Sequence, residues 1–122
     1  MRVAKALVRA KTRNIKVRMV YDNQEDEQPA IKHIKANGLT PRSDARAAYM
    51  HNKFMVVDGR IVWTGSTNIA VGGIYLADNN AISFTSPELA VEFTKEFEEM
   101  YVDGKFGTTS PKNTREDWML VD

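Results

Sequence analysis

Residues 52–65, NKFMVVDGRIVWTG, place two short apolar segments rich in β-branched residues on either side of Asp58-Gly59. β-branched and aromatic side chains fit a pleated surface and lose rotamer freedom in a helix. An Asp-Gly pair readily takes the left-handed backbone that a tight hairpin turn needs. The pattern predicts an antiparallel hairpin turning at Asp58-Gly59. An isolated hairpin is marginal in water, so the flanking chain must supply the rest of a core.

The flanks alternate between helical and extended patterns. Val3, Leu7 and Ala10, with Ala6 beside them, recur at helical spacing and predict a short amphipathic helix at the start. In IKVRMVYD, Ile15, Val17, Met19 and Tyr21 alternate with Lys16, Arg18 and Val20, the period-two pattern of a strand. DNQEDEQ reads as a solvated loop. Pro29 at a first turn and Gly38 after a last one bracket a small helix that carries His33 on its surface. Residues 38–44 read as loop and 47–50 as a short extended segment. Gly72-Gly73 marks a loop after the hairpin, and NAISFTS reads as a further strand. Ser86 and Pro87 open a helix whose apolar face is Leu89, Phe93, Phe97 and Met100 or Tyr101, ending at Gly104. The expected fold is α/β, a mixed sheet with flanking helices, in one domain over 1–104. Residues 105–122 form a tail in which Trp118, Met119 and Leu120 are expected to dock.

With 122 residues, the chain is sized for one small domain, and 17 basic against 16 acidic residues give no bulk argument for a polyanionic partner. The charge is graded, however. Residues 1–20 carry seven basic residues and no acid, whereas residues 88–103 carry six acids against Lys95 alone. The absence of cysteine removes disulfides, thiolate nucleophiles and thiolate metal sites together. No apolar run reaches membrane-spanning length, and Arg2, Lys5, Arg9 and Lys11 interrupt any signal-peptide core, so the expected location is cytoplasmic by default.

The chemistry concentrates in residues 51–68. On an extended segment side chains two apart face the same way, so His51 and Lys53 share one side while Phe54 and Val56 take the other. An imidazole is a competent nucleophile and, once protonated, a competent acid near neutral pH; an ammonium beside it suits a phosphoryl oxygen. Ser66 and Asn68 add a hydroxyl and an amide just beyond the second hairpin strand, and Gly65 permits close backbone approach. Together these groups suit an oxyanion.

The pattern His51-x-Lys53, four residues, Asp58, six residues, Gly65-Ser66-x-Asn68 resembles the HKD motif of the phospholipase D superfamily at every defined position. RNIKVRMVYD resembles the family's strand before the motif, and NNAISFTSPELAVEFTKEFEEMY its last strand and helix. The resemblance implies a phospholipase D-like fold and a metal-independent phosphodiesterase that uses no cofactor. Two motifs form one site: His51 attacks phosphorus to give a phosphohistidine, and the second motif's histidine protonates the leaving oxygen. Lys53 and Asn68 hold the nonbridging oxygens, and Ser66 supports the histidine. Asp58, at the hairpin turn, reads as a structural residue that bonds turn backbone.

One motif per chain implies either a homodimer, like the superfamily's small single-motif bacterial endonucleases, or a partner half that carries a second HKD motif. The substrate is a phosphodiester, phospholipid or nucleic acid. Ile74, Tyr75 and Leu76 are candidates for an apolar approach to lipid; Arg42, Arg46 and the N-terminal basic run are candidates for a nucleic-acid track. The alternative is an inactive or partner-completed structural half-domain.

The chain departs from the family in two places. The acidic residue that bonds the catalytic histidine in the family falls, by spacing, at Asn79, with Asp78 just before it. An amide orients a ring but does not stabilise an imidazolium as a carboxylate does. The family's opening strand, helix and strand also have no counterpart here, so the fold is expected to be incomplete at its N-terminus.

Overall fold

A computed structural model describes residues 1–70 and 72–110; Trp118, Met119 and Leu120 lie outside the described residues. The elements run α1 (Arg2–Thr12), β1 (Val20–Tyr21), α2 (Pro29–Ala36), β2 (Arg42–Ser43), β3 (Phe54–Val57), β4 (Ile61–Gly65), β5 (Ala81–Thr85) and α3 (Pro87–Glu98). Helices flank strands as expected, with β2 to β5 following one another between α2 and α3, and the fold class is α/β. The expected single mixed sheet is instead divided. β1 and β2 pair in parallel, and β3, β4 and β5 form a separate antiparallel sheet in that order.

The hairpin forms where the Asp-Gly pair places it. Met55 pairs with Trp63 and Val56 with Val62, and the turn closes with the Arg60 N–H donating to the Val57 carbonyl at 3.2 Å. Asp58 and Gly59 both have positive φ, 53° and 62°, a conformation that aspartate tolerates and glycine adopts freely. The Asp58 carboxylate is exposed and makes no hydrogen bond to another described residue. Its contribution to the turn is therefore conformational, not the backbone bonding that the sequence leads one to expect.

Two clusters cover the sheets. On one, α1 packs on α2 through Ala4, Ile34 and Leu39, with Leu7, Val8, Val17 and Met19 against them. Ala6, expected on this face, is exposed; the buried alanine is Ala4. The Lys11 ammonium reaches the end of α2 and donates to the Asn37 and Gly38 carbonyls at 2.9 and 2.7 Å, groups a helix C-terminus leaves unpaired. Gly38 has φ 74°, ending α2 where the sequence places its stop.

On the other, α3 lies against β3 and β4. Its N-cap is Ser86, whose hydroxyl oxygen accepts the Leu89 N–H at 3.2 Å. Phe93 meets Phe54 edge to face at 5.2 Å, and Val62 and Ala90 are fully buried. The chain continues past α3 in a wider turn, Glu99–Asp103, closed by Gly104 at φ 67°.

Two extended segments differ from expectation. The Ile15–Tyr21 alternation does direct Val17 and Met19 to the core, yet only Val20 and Tyr21 pair, and Ile15 is half-exposed. Residues 47–50 form no strand, and the strand in this region is β2, inside a stretch that reads as loop. The reason lies in β2's polar sequence: Arg42 and Ser43 carry no apolar alternation, and their pairing is fixed from outside, by the Arg42 N–H on the Met19 carbonyl and the Asp44 N–H on the Tyr21 carbonyl.

Candidate active site

The antiparallel register decides where the motif's halves emerge. The β3–β4 ladder ends at Phe54 and Thr64, and the Thr64 hydroxyl donates to the Lys53 carbonyl at 2.9 Å. His51, Asn52 and Lys53 therefore enter the sheet at the end where Ser66, Thr67 and Asn68 leave it. Asp58 sits at the opposite end, in the turn.

His51 is exposed, and its imidazole makes no hydrogen bond to another described residue. The Lys53 ammonium folds back and donates to the His51 carbonyl at 2.7 Å, which holds the two residues together. Burial pulls the Lys53 amine below its ordinary value, because desolvation disfavours the charged form. An incoming phosphate would reverse that effect.

Ser66 is held by a ring of bonds around the start of β5. Its N–H donates to the Asn80 carbonyl at 3.0 Å, its hydroxyl donates to Asn79 Oδ1 at 3.0 Å, and its oxygen accepts the Asn80 N–H at 3.1 Å. Gly65 is required by proximity: a Cβ there would collide with the Asn80 carbonyl oxygen and Ala81. The Asn79 amide also donates to the Gly73 carbonyl at 3.0 Å, and a Cβ on Gly73 would collide with Asn68 backbone. Ser66, Asn79, Gly73 and Asn68 thus form one tight cluster. The Asn68 side chain makes no bond to another described residue. Of the two residues expected to orient the histidine, Asn79 faces the motif, bonded to Ser66 and not to His51; Asp78 is exposed, with no side-chain partner among the described residues.

Several positioning residues carry no motif signature. Asp22 accepts the Met50 N–H at 2.8 Å on one oxygen and the Gln24 N–H at 2.9 Å on the other, tying the end of β1 to the residue before His51. Asn52 donates to Glu96 Oε1 at 3.1 Å and so fixes the segment to α3. Thr64 is the third. The one signal that points to Asp22 is its position directly after a strand of alternating pattern, where a side chain can reach over the sheet edge. A cavity of about 320 Å³ opens beside His51, lined by Arg46, Tyr49, Met50, Asn52, Glu96 and Phe106 among others. A larger cleft of about 490 Å³, with Val91, Thr94, Glu98 and Asp103 in its walls, includes none of the site residues.

Three members of the expected basic track are committed elsewhere, whereas Lys5 and Arg9 of the N-terminal run stay exposed. Arg42 donates to the Tyr101 and Val102 carbonyls at 2.7 and 3.0 Å. Arg18 pairs with Glu98 at 2.7 Å and stacks on Phe97 and Tyr101. Arg46 lies over the Phe106 ring with its Nε 3.5 Å from the buried Asp44 carboxylate.

The sequence model of the family described as cardiolipin synthase, PLD-like domain, matches residues 1–101. The chain belongs to the phospholipase D superfamily. Among curated relatives it is 33% identical over 101 residues to the mitochondrial cardiolipin hydrolase of Xenopus laevis, covering 81% of this chain and 48% of that protein. It is 31% identical over 91 residues to the mitochondrial cardiolipin hydrolase of Homo sapiens, covering 73% and 36%. The chain spans about half the length or less of these relatives. Among solved structures, the phospholipase D family member Nuc from Salmonella typhimurium superposes with a TM-score of 0.72 at 29% identity, over 80% of this chain and 67% of that one. NucT from Helicobacter pylori shares the fold, with a TM-score of 0.62 at 16% identity over 84% and 71%. The phospholipase D-like fold holds even though the sheet is divided.

Proposed function

We propose that this chain carries one half of a metal-independent phosphodiesterase site acting on a phospholipid. The observation that carries the reading is the His51–Lys53 pair leaving the same sheet end as Ser66 and Asn68, with Asp58 remote in the turn. His51 would attack phosphorus, forming an N–P bond as the ester P–O bond breaks, and a second imidazolium would deliver its proton to the departing alkoxide. Water then attacks the phosphohistidine, giving its proton to that second imidazole, and the N–P bond breaks. The Lys53 ammonium and Asn68 amide would hold the nonbridging oxygens and stabilise charge that builds in the transition state. Ser66, fixed by Asn79, would support the pocket floor.

The second histidine must come from another motif. The chain contains two histidines, and His33 lies on α2, which packs on α1. A second copy of the chain, or another HKD-bearing half, would supply it across a two-fold axis. Lipid is favoured over nucleic acid for two reasons. The relatives named cardiolipin hydrolases share about a third of their residues with this chain, and Arg42 and Arg18 are already engaged within the fold. A second reading, a homodimeric endonuclease, draws on the likeness to Nuc.

The test is an EDTA-resistant assay on phosphatidylcholine, cardiolipin, plasmid DNA and bis(p-nitrophenyl) phosphate, with His51→Asn alongside. Lipid turnover abolished by the substitution is the expected result; DNA cleavage without lipid turnover favours the endonuclease. Undiminished turnover by His51→Asn would remove the catalytic assignment of His51, and no turnover of any of these diesters by the wild-type chain would leave a structural half-domain.

A further inference from the structure

The connection between β4 and β5, expected as plain loop at Gly72-Gly73, takes a wide helical turn over Gly72–Leu76 and turns large apolar side chains outward. Leu76 is 80% exposed and Tyr75 59%, with Ile74 and Ile69 each more than two-fifths exposed. Water-facing side chains of this size in one short loop are costly unless they have an apolar partner. Residues 66–86 carry a single acid, Asp78.

The loop is continuous with a strip of positive charge. The Arg2 guanidinium donates to the Tyr75 hydroxyl at 3.0 Å and lies 5.7 Å from the centre of its ring. Arg2 begins a row on α1: Arg2, Lys5 and Arg9 follow at intervals of three and four, the spacing of one helical face, and all three are exposed. α1 contains no acid to neutralise them. The opposite face of the helix is the one buried on α2.

We infer that the Ile74–Tyr75–Leu76 loop and the Arg2–Lys5–Arg9 row form one membrane-docking surface for an anionic phospholipid bilayer, with the loop entering the acyl boundary and the row lying on the headgroups. Both halves fit that partner: apolar side chains gain by leaving water at the interface, and basic ones gain from the negative surface potential. A nucleic acid would satisfy the basic row and leave the apolar loop in water. The surface also lies against the site. The loop is bound at Gly73 to Asn79, which holds Ser66, and Gly73 abuts Asn68. A bilayer engaged by this loop would present headgroup phosphates close to Asn68 and Ser66. The inference rests on the lipid reading of the site and names the surface on which that substrate would be met.

The experiment is vesicle co-sedimentation of the full chain, with phosphatidylcholine vesicles containing one-fifth phosphatidylglycerol compared with phosphatidylcholine alone. The wild-type chain is expected to prefer the anionic vesicles. Ile74→Ser with Leu76→Ser should weaken that binding by about tenfold or more. Lys5→Gln with Arg9→Gln should weaken it by about 30-fold and sharply reduce the preference for anionic lipid. All four residues are exposed, and circular dichroism is the check that each variant is folded. Equal binding by wild type to both vesicles, or loop variants that bind as wild type does, overturns the inference. Binding of a 20-base-pair duplex that displaces the vesicles and is indifferent to the loop substitutions also overturns it, in favour of nucleic acid. His51→Asn should sediment as wild type does. Vesicle binding without hydrolysis of any diester would therefore sink the catalytic reading alone, and hydrolysis of bis(p-nitrophenyl) phosphate without vesicle binding would sink the docking surface alone.

Discussion

At the scale of single residues, the site depends on groups that lie outside its motif. Thr64 ties the Lys53 carbonyl across the hairpin, so Thr64→Val removes one hydrogen bond at nearly constant volume. Stability should fall by about 1 kcal/mol, and kcat on bis(p-nitrophenyl) phosphate should fall more than KM rises, because the lysine loses its alignment. Asp22 presents the same logic from the other sheet, and Asp22→Ala should lower activity while leaving far-UV circular dichroism unchanged. Lys53 offers a direct spectroscopic test. Its amine titrates below the ordinary lysine value because it is partly desolvated, so the charged form is disfavoured in the fold and stability rises with pH through that interval. Phosphate binding restores a counter-charge and should raise the lysine's pKa, read from its side-chain carbon shift; a pKa that stays put would argue against Lys53 as a phosphate ligand.

At the scale of elements, the hairpin and α3 were legible in the sequence because their local signals agree with their tertiary roles. Asp58-Gly59 specifies the turn, Ser86-Pro87 specifies the helix start, and Phe93 and Phe97 lie on the face that α3 buries. β2 was not legible: its two residues are paired through Met19 and Tyr21, partners about twenty residues away, and no local period records that. The role of Asn79 was half legible, since its spacing identified the position but only the fold shows its amide bridging Ser66 and Gly73. Gly65 is the sharpest element-level test. Gly65→Ala inserts a methyl group against the Asn80 carbonyl, so β5 must shift, and a loss of about 2 kcal/mol or more is expected from the urea midpoint. Gly72→Ala, where a Cβ meets nothing within 4 Å, is the matched control and should be nearly silent.

At the scale of the whole molecule, β1 and β2 belong to one sheet and β3, β4 and β5 to another, and α3 with its following turn touches both. Arg18 reaches Glu98, Phe97 and Tyr101, and Arg42 holds the Tyr101 and Val102 carbonyls. The Arg18 hydrogen bond keeps the Glu98 carboxyl below the usual glutamate range. Its contribution to stability is therefore present above the unfolded pKa of about 4.3 and is lost as pH falls through the lower folded value. Glu98→Gln should be less stable at pH 7 and show a shallower acid limb, the gap narrowing in 1 M salt because the pair is partly exposed. Assembly has its own readout: if a second copy completes the site, specific activity rises with protein concentration in step with dimer mass, and a concentration-independent rate would exclude it. The divided sheet bears on cooperativity as well. Backbone ladders make strands melt together, whereas side-chain bridges let neighbouring units open separately. Amide exchange should therefore resolve two opening free energies, a lower one for Val20, Tyr21 and their β2 partners and a higher one for Val56 and Val62. Breaking Arg18 from Glu98 should widen that difference, because the ion pair is one of the few side-chain bridges, with Arg42 and Asp22, through which two folding units feel each other.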